Sequence, residues 1–212
     1  MLFSDLGPAQ VLGIVVALVV GITFHEFSHA FVADQLGDHR PRALGRVSLN
    51  PAAHIDPVGA LFFILAGFGW GRPVPVNVYA LRPGRIGMAF VAAAGPLANL
   101  AVALVFAVAF RAADVAGLLG PGSDFLWLLL RSIVFFNILL GIFNLLPIPP
   151  LDGYNLVLPF LPPRTAFRVQ RYAQYGILAL LLLVLLSYGP GPGPLGLLFD
   201  AAGWVMRLLT GA

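Results

Sequence analysis

An apolar stretch at residues 11–32 is long enough to cross a membrane as a helix, yet it contains two histidines and a glutamate. A membrane-spanning helix needs about 20 predominantly apolar residues, and ionisable side chains within one are costly. Residues 25–29 read HEFSH, and Glu26 is the only glutamate of the chain. This stretch restricts the fold to one in which a membrane-embedded helix bundle encloses a polar site.

The composition agrees with an integral membrane protein. Charged residues make up 10% of the chain, against roughly 25% in soluble domains. The basic residues are all arginine and are dispersed between apolar blocks, with a net charge of +3. We interpret them as topology signals and contacts with the lipid bilayer, and we expect no nucleic-acid partner. The absence of cysteine excludes disulfides, thiolate catalysis and thiolate-bound zinc.

Further apolar blocks predict an all-α polytopic membrane protein with about four to five transmembrane helices. After the first span, these blocks are residues 86–112, 125–146 and 172–188, and a tail at 195–209 that either crosses or lies in the interface. No composition shift divides the chain. We therefore predict a single membrane-embedded domain over residues 1–212, with a catalytic core at about 10–165 and the C-terminal span or spans at 172–209.

Residues 58–70 are apolar but too few to cross a bilayer. Arginines flank this block on both sides, which by the positive-inside rule places both of its ends in the cytoplasm. We therefore predict a re-entrant segment between the first two spans, with short β-strands at 46–49 and 73–78.

The arginine distribution also predicts an outside N-terminus. The first span then runs inward, the second outward and the third inward. The HEFSH sequence falls in the cytoplasmic half of its helix, and Asp152 lies just beyond the cytoplasmic end of the third span. These two parts of the chain are therefore expected at similar depth.

The histidines of HEFSH are spaced to share one face of a helix. His25 and His29 are four residues apart, about one helical turn. Two such histidines can bind Zn²⁺ while the adjacent glutamate, Glu26, takes the proton of an activated water.

Catalytic zinc usually has three protein ligands, so a third is required. A second glutamate is excluded because the chain has none, and the metzincin spacing fails because Val32 and Gln35 occupy its Gly and His positions. Asp152 is favoured because it follows a proline-broken stretch at membrane depth, where irregular backbone must be buried or line a wet cavity. The other candidates are Asp34, Asp38, His39, His54, Asp56, Asp114, Asp124 and Asp200.

These elements together resemble the site-2 protease family of intramembrane zinc metalloproteases. HEFSH on one span is followed on a later one by NLLP at 144–147 and LDG at 151–153. Between them lie Asn50-Pro51 with His54, the run GWGRPVPVN at 69–77, and Gly95-Pro96 with Asn99. The likeness covers about residues 10–165 and is closest to the short bacterial branch without PDZ or CBS domains.

The resemblance implies one zinc ion per chain, bound by His25, His29 and Asp152, with Glu26 as general base. It further implies that Asn144 lies near the scissile carbonyl and that His54 stabilises the oxyanion. Asn99 we interpret as a residue that joins helices by hydrogen bonding. The implied substrate is a transmembrane protein cleaved in or near its membrane segment, in the bacterial inner membrane and with the active site toward the cytoplasm. No oligomeric state is predicted.

The alternative is a non-proteolytic metal-binding membrane protein, such as a transporter or an inactive protease relative. A transport pathway should place carboxylates on several spans, whereas Glu26 is the only carboxylate within the predicted ones. An inactive relative would not need Glu26, because binding requires no base. Both considerations favour the enzyme.

Overall fold

A computed structural model describes residues 7–66, 69–120, 125–187 and 193–211. Within these ranges the regular structure is helical. The helices, in chain order, are α1 Pro8–Gln35, α2 Arg40–Ala43, α3 Pro57–Ala66, α4 Arg85–Val115, α5 Phe125–Asn144, α6 Asp152–Val157, α7 Pro163–Tyr172, α8 Gly176–Ser187 and α9 Pro194–Thr210.

Four helical segments in the described part of the chain are long and apolar enough to cross a membrane. They are Gln10–Gln35, Arg85–Val115, Phe125–Asn144 and Pro163–Ser187, the last of which combines α7 and α8. The predicted polytopic helical fold is thus confirmed, with a fourth segment that begins earlier than the predicted 172–188. The tail forms α9, which packs on α4 and α5 through the buried Ala202 and Met206.

Helices α1, α4 and α5 form the centre of the molecule. Small residues let α1 approach α5: a β-carbon on Gly13 would stand 2.9 Å from Ser132 Oγ. One turn further, Ala17 packs with Val102 of α4 and Ile133 of α5 in a buried cluster. This close approach of backbones at small residues is the usual means of helix association in membranes.

The order of these contacts along the three helices fixes their directions. Gly13 and then Gly21 of α1 meet Ser132 and then Asn137 of α5, so these two helices run parallel. α4 runs against both, because its earlier residue Val91 lies near His29 and its later residue Asn99 near Gly21. The C-terminal halves of α1 and α5 therefore lie at the same end of the bundle.

The prediction of β-strands at 46–49 and 73–78 is wrong. In the described residues of this region the only strand-like pairing is an isolated bridge between Ile55 and Gly71. Pro73 and Pro75 lack the amide hydrogens that a ladder needs. In addition, the guanidinium of Arg46 takes the carbonyl oxygens of Arg72 and Pro73 that a partner strand would have used.

The structure also gives no support to the predicted re-entrant segment at 58–70. What it shows there is α3, a helix of 10 residues, and residues 67–68 lie outside the described ranges. Asp56 caps this helix by accepting hydrogen bonds from the backbone amides of Val58 and Gly59.

Candidate metal centre

Helix α1 presents His25 and His29 on one face, one turn apart. Their Nε2 atoms are 3.0 Å from each other, and the rings meet edge to face with centroids 4.6 Å apart. Both side chains are buried. The i, i+4 spacing therefore produces the convergence that the sequence predicts.

Asp152 reaches the same point from a different part of the chain. α5 ends at Asn144, and the proline-rich turn that follows carries the chain to Asp152 at the start of α6. Its Oδ2 atom lies 2.9 Å from His25 Nε2 and 3.2 Å from His29 Nε2. Gly153 permits this path, because a β-carbon there would collide with the backbone of Leu145 and Leu146.

The hydrogen bonds of the two Nδ1 atoms determine which form of each imidazole meets Asp152. His25 Nδ1 lies 2.6 Å from the Asn99 side-chain oxygen, and His29 Nδ1 lies 2.7 Å from the Val91 carbonyl oxygen. Both partners are acceptors, so each Nδ1 carries the hydrogen and each neutral imidazole keeps a lone pair on Nε2. When both imidazoles are neutral, two lone pairs and a carboxylate oxygen therefore converge here, an arrangement that a bound cation stabilises.

The donor set and its dimensions fit zinc. Ligand atoms of tetrahedral zinc lie about 2.0–2.2 Å from the metal, and hence roughly 3.3 Å from one another. The three separations here, 2.9, 3.0 and 3.2 Å, are close to that value. Among the described residues, His25, His29 and Asp152 are the one group of three possible ligand residues that converge in this way.

The remaining candidates for the third ligand lie elsewhere. At the end of α1, Asp34 is paired with His39 and Arg42. Beyond it, the guanidinium of Arg40 holds the pKa of Asp38 below its usual value, with burial opposing the shift and the amide of Asn77 supporting it. His54 and Asp56 belong to the loop before α3, Asp114 and Asp200 lie on α4 and α9, and Asp124 lies outside the described residues.

Glu26 lies beside the ligands and next to a buried arginine. Its carboxylate is largely buried, and its Oε2 atom lies 3.9 Å from Arg46 Nη2. Gly71 packs against it, since a β-carbon at Gly71 would stand 3.2 Å from Glu26 Oε1. Arg46 therefore connects the glutamate to the segment that covers it, because the same guanidinium bonds the carbonyl oxygens of Arg72 and Pro73.

The two remaining predicted residues have different surroundings. Asn144 ends α5, donates a hydrogen bond to the Leu140 carbonyl oxygen at 3.0 Å and lines the same cavity as Glu26. His54 is fully buried, its Nε2 atom lies 2.6 Å from the Ser48 carbonyl oxygen, and it is not among the residues that line the cavity. Sequence reasoning missed Arg46 and Asn137, and it gave Asn99 no place at the metal centre.

The ligands lie in the wall of a cavity of about 1550 Å³. This volume exceeds the roughly 300–1,000 Å³ of ordinary ligand pockets. From the ligands the cavity extends along α1 to Gln10 and along α5 to Trp127, and residues of α8 and α9 form its other side. Its lining is mostly apolar, so it fits an apolar occupant that extends through much of the bundle.

Fold and site together define a class: a polytopic membrane protein with a convergent His-His-Asp group that could hold a metal ion, and an adjacent glutamate. The sequence model of peptidase family M50 matches residues 122–186. The chain is 36% identical over 178 residues to "Putative zinc metalloprotease YwhC" of Bacillus subtilis, covering 83% of this chain and 81% of that protein. It is 31% identical over 211 residues to "Putative zinc metalloprotease Rip2" of Mycobacterium tuberculosis, covering 95% and 77%. No solved structure matches significantly.

The chain therefore belongs to peptidase family M50, and the resemblance to the site-2 proteases is confirmed. It is an integral membrane protein of a zinc metalloprotease family.

Proposed function

We propose that this protein is an intramembrane zinc endopeptidase that hydrolyses peptide bonds in or near transmembrane segments of membrane protein substrates. One observation carries the proposal. The three convergent ligand atoms and the side chain of Glu26 lie together in the wall of an apolar cavity that follows α1 and α5. A metal site for proteolysis inside the membrane needs this combination of a polar centre and an apolar path to it.

Bound zinc would supply Lewis-acid chemistry, polarising a peptide carbonyl and making water acidic enough to lose a proton near neutral pH. Glu26 is positioned to take that proton, because it neighbours His25 in the chain and faces the same cavity. The same carboxylic acid then delivers the proton to the departing amine, which completes a general base and general acid cycle.

Asn144 is the donor we assign to the developing negative charge on the carbonyl oxygen. It lines the cavity together with Glu26, and its amide now donates to the Leu140 carbonyl oxygen within its own helix. A substrate oxygen can replace that acceptor when it occupies the site. The oxyanion role implied for His54 requires the imidazole to leave a fully buried position, and we do not include it in the mechanism.

The substrate we propose is an apolar transmembrane segment that is unwound at the site of cleavage. A helical segment buries its carbonyl groups in its own hydrogen bonds, so the scissile bond must be presented in extended form. The arginine distribution supports an orientation with the metal centre toward the cytoplasm, and the membrane we propose is a bacterial inner membrane. Apolar side chains of α8, such as Leu181 and Leu185, are more than half exposed and suit contact with lipid.

The test is to purify wild type, Glu26→Gln and Asp152→Ala in detergent and to measure zinc content and cleavage of a model transmembrane substrate. We expect about one zinc per chain in wild type and Glu26→Gln, less in Asp152→Ala, and cleavage by wild type alone. Full zinc content in Asp152→Ala would show that a residue other than Asp152 is the third ligand.

The transporter alternative is tested with the same variants in proteoliposomes. If zinc flux persists in Glu26→Gln and wild type cleaves no substrate, the protein is a transporter and the protease proposal is wrong. Zinc flux is not expected, because the described residues supply one convergent ligand group and no second group along the cavity.

A further inference from the structure

Two asparagines with no exposed surface lie in the middle of the helix bundle. Asn99 of α4 and Asn137 of α5 are both fully buried. A buried amide in a membrane bundle is costly unless its donors and acceptors are all used. The partners of these two side chains therefore determine which way each amide points.

Asn137 is oriented by backbone carbonyls. Its Nδ2 atom donates to the carbonyl oxygen of Ile133 at 2.8 Å and to that of Ala17 at 3.4 Å. Carbonyl oxygens only accept, so the amide nitrogen must be on this side. Its oxygen is thereby left to face Asn99.

Asn99 is likewise oriented by the acceptors that surround its amide nitrogen. Its Nδ2 atom donates to the Asn137 side-chain oxygen at 3.2 Å and to the Gly21 carbonyl oxygen at 3.1 Å. Both hydrogens of the amide are then used, and its oxygen must point at His25. That oxygen is 2.6 Å from His25 Nδ1, which therefore donates to it.

The two metal-facing histidines differ in what fixes them. His29 Nδ1 donates to a backbone carbonyl, that of Val91, which no side-chain substitution removes. His25 Nδ1 depends on a single side chain, Asn99, which is 74 residues away in the sequence. Without an acceptor there, neutral His25 gains by placing its hydrogen on Nε2, where it would bond Asp152 Oδ2 at 2.9 Å and occupy the metal-facing position.

We propose that Asn99 is a positioning residue, held in orientation by Asn137, that fixes His25 in the tautomer whose Nε2 lone pair faces the metal. The inference rests on the proposed metal site. The chain of hydrogen bonds from Asn137 through Asn99 to His25 then serves to orient a metal ligand, which helix association alone does not require. Outer partners of metal-bound histidines of this kind typically change metal affinity about 10- to 100-fold when mutated.

The experiment compares Asn99→Leu, which is close in volume and has no acceptor, with wild type. Zinc affinity is measured by chelator competition, and the protonated nitrogen of His25 is identified by ¹⁵N NMR of zinc-free, histidine-labelled protein. We expect Asn99→Leu to lose about 10- to 100-fold in zinc affinity and to shift the His25 hydrogen from Nδ1 toward Nε2. The matched control is Thr23→Val, which removes another buried hydrogen bond of α1, to the Val19 carbonyl, without touching either histidine.

Asn99→Asp separates positioning from helix association. One carboxylate oxygen still accepts from His25 Nδ1, but the other replaces the amide nitrogen and faces the oxygens of Asn137 and Gly21. Positioning predicts that this variant loses thermal stability and yet keeps the hydrogen on Nδ1, with zinc affinity nearer to wild type than that of Asn99→Leu. If zinc affinity merely followed thermal stability across the three variants, Asn99 would serve only to join helices.

The remaining outcomes are also decisive. Zinc affinity of Asn99→Leu within about threefold of wild type would overturn the inference while leaving the proposed function intact. The same holds if the hydrogen of His25 is on Nε2 in zinc-free wild type. A wild-type protein that binds no zinc would overturn both the inference and the proposed function.

Discussion

The α-carbon of Gly95 lies against the imidazole of His29. A methyl group on Gly95 would stand 2.6 Å from Cε1 of His29 and 2.7 Å from Cε1 of His25. Non-bonded carbon atoms ordinarily approach to about 3.5–4.0 Å. Helix α4 therefore supports both metal-facing histidines with bare backbone, and any side chain at this position must displace them from Asp152.

Gly95→Ala is accordingly expected to lower zinc affinity by about tenfold or more, since displaced ligands no longer converge. Chelator competition on the purified protein measures this effect. The control is Gly196→Ala in α9, where an added β-carbon meets nothing within 4 Å and the helical backbone accepts alanine. Equal zinc affinity in the two alanine variants would show that zinc binding does not depend on the close contact between Gly95 and the two histidines.

The guanidinium of Arg46 is almost fully buried and joins Glu26 to the segment at Arg72 and Pro73. Its loss should release that segment and remove the positive charge beside Glu26, the proposed general base, without touching the three proposed metal ligands. We expect Arg46→Gln to retain zinc and to lose about tenfold or more in kcat. This is less than the roughly 10²- to 10³-fold loss found when a donor to the oxyanion itself is removed, because Arg46 lies beside Glu26 and not at the reacting carbonyl.

Arg46→Lys should recover part of the kcat, because lysine keeps the charge but not the fork that bonds two carbonyl oxygens. The control for loss of a positive charge is Arg82→Gln, at an exposed position. Wild-type kcat in Arg46→Gln would contradict a role for this arginine, and loss of zinc would show that it acts on the ligands instead.

Much of the geometry of the candidate metal centre follows from the sequence because its determinants are local. The spacing of His25 and His29 fixes their convergence once α1 forms, and the apolar blocks determine where α1 lies. Asp152 required a further argument, from the cost of a carboxylate after a proline-broken turn at membrane depth. The structure brings it within 3.2 Å of both histidines.

The features that sequence reasoning missed are those that depend on how distant segments pack. Asn99 meets His25 because α4 runs against α1 in one particular register, which no local pattern specifies. The prediction of strands at 46–49 and 73–78 is wrong for a similar reason, because the side chain of Arg46 bonds the carbonyl oxygen of Pro73 at the start of the second segment. A signal for Asn137 was present, since a polar residue within an apolar span is a candidate for function.

A pH dependence of stability is expected from Asp38, in the turn that follows α1. Its carboxylate accepts hydrogen bonds from Arg40 and from the backbone amide of Asn77 at 2.6 Å, and the Arg40 guanidinium is the main cause that lowers its pKa from 3.8. A lowered folded-state pKa stabilises the fold above the unfolded-state value. That stability is lost as the pH falls below about 4 and through the folded-state pKa.

Asp38→Asn should therefore lower Tm at pH 7 by about 2–4 °C and flatten the fall in Tm between pH 5 and pH 3. Thermal unfolding in detergent at several pH values measures both effects. Asp114→Asn, at an exposed position of α4, is the control for losing a carboxylate. A variant whose Tm runs parallel to that of wild type over this pH range would show that Asp38 does not contribute through its charge.

Gly196 offers a way to narrow the cavity without disturbing the metal centre. It lines the cavity from α9, and a β-carbon there meets no atom within 4 Å, so a large side chain has room to project into the space that a substrate would occupy. We expect Gly196→Trp to keep wild-type zinc content and Tm but to lose about tenfold or more in kcat/KM toward a transmembrane substrate, equivalent to about 1.4 kcal/mol. Gly196→Ala should cleave as wild type does. Undiminished cleavage by the tryptophan variant would show that substrates reach the metal centre by another path than the cavity beside α9.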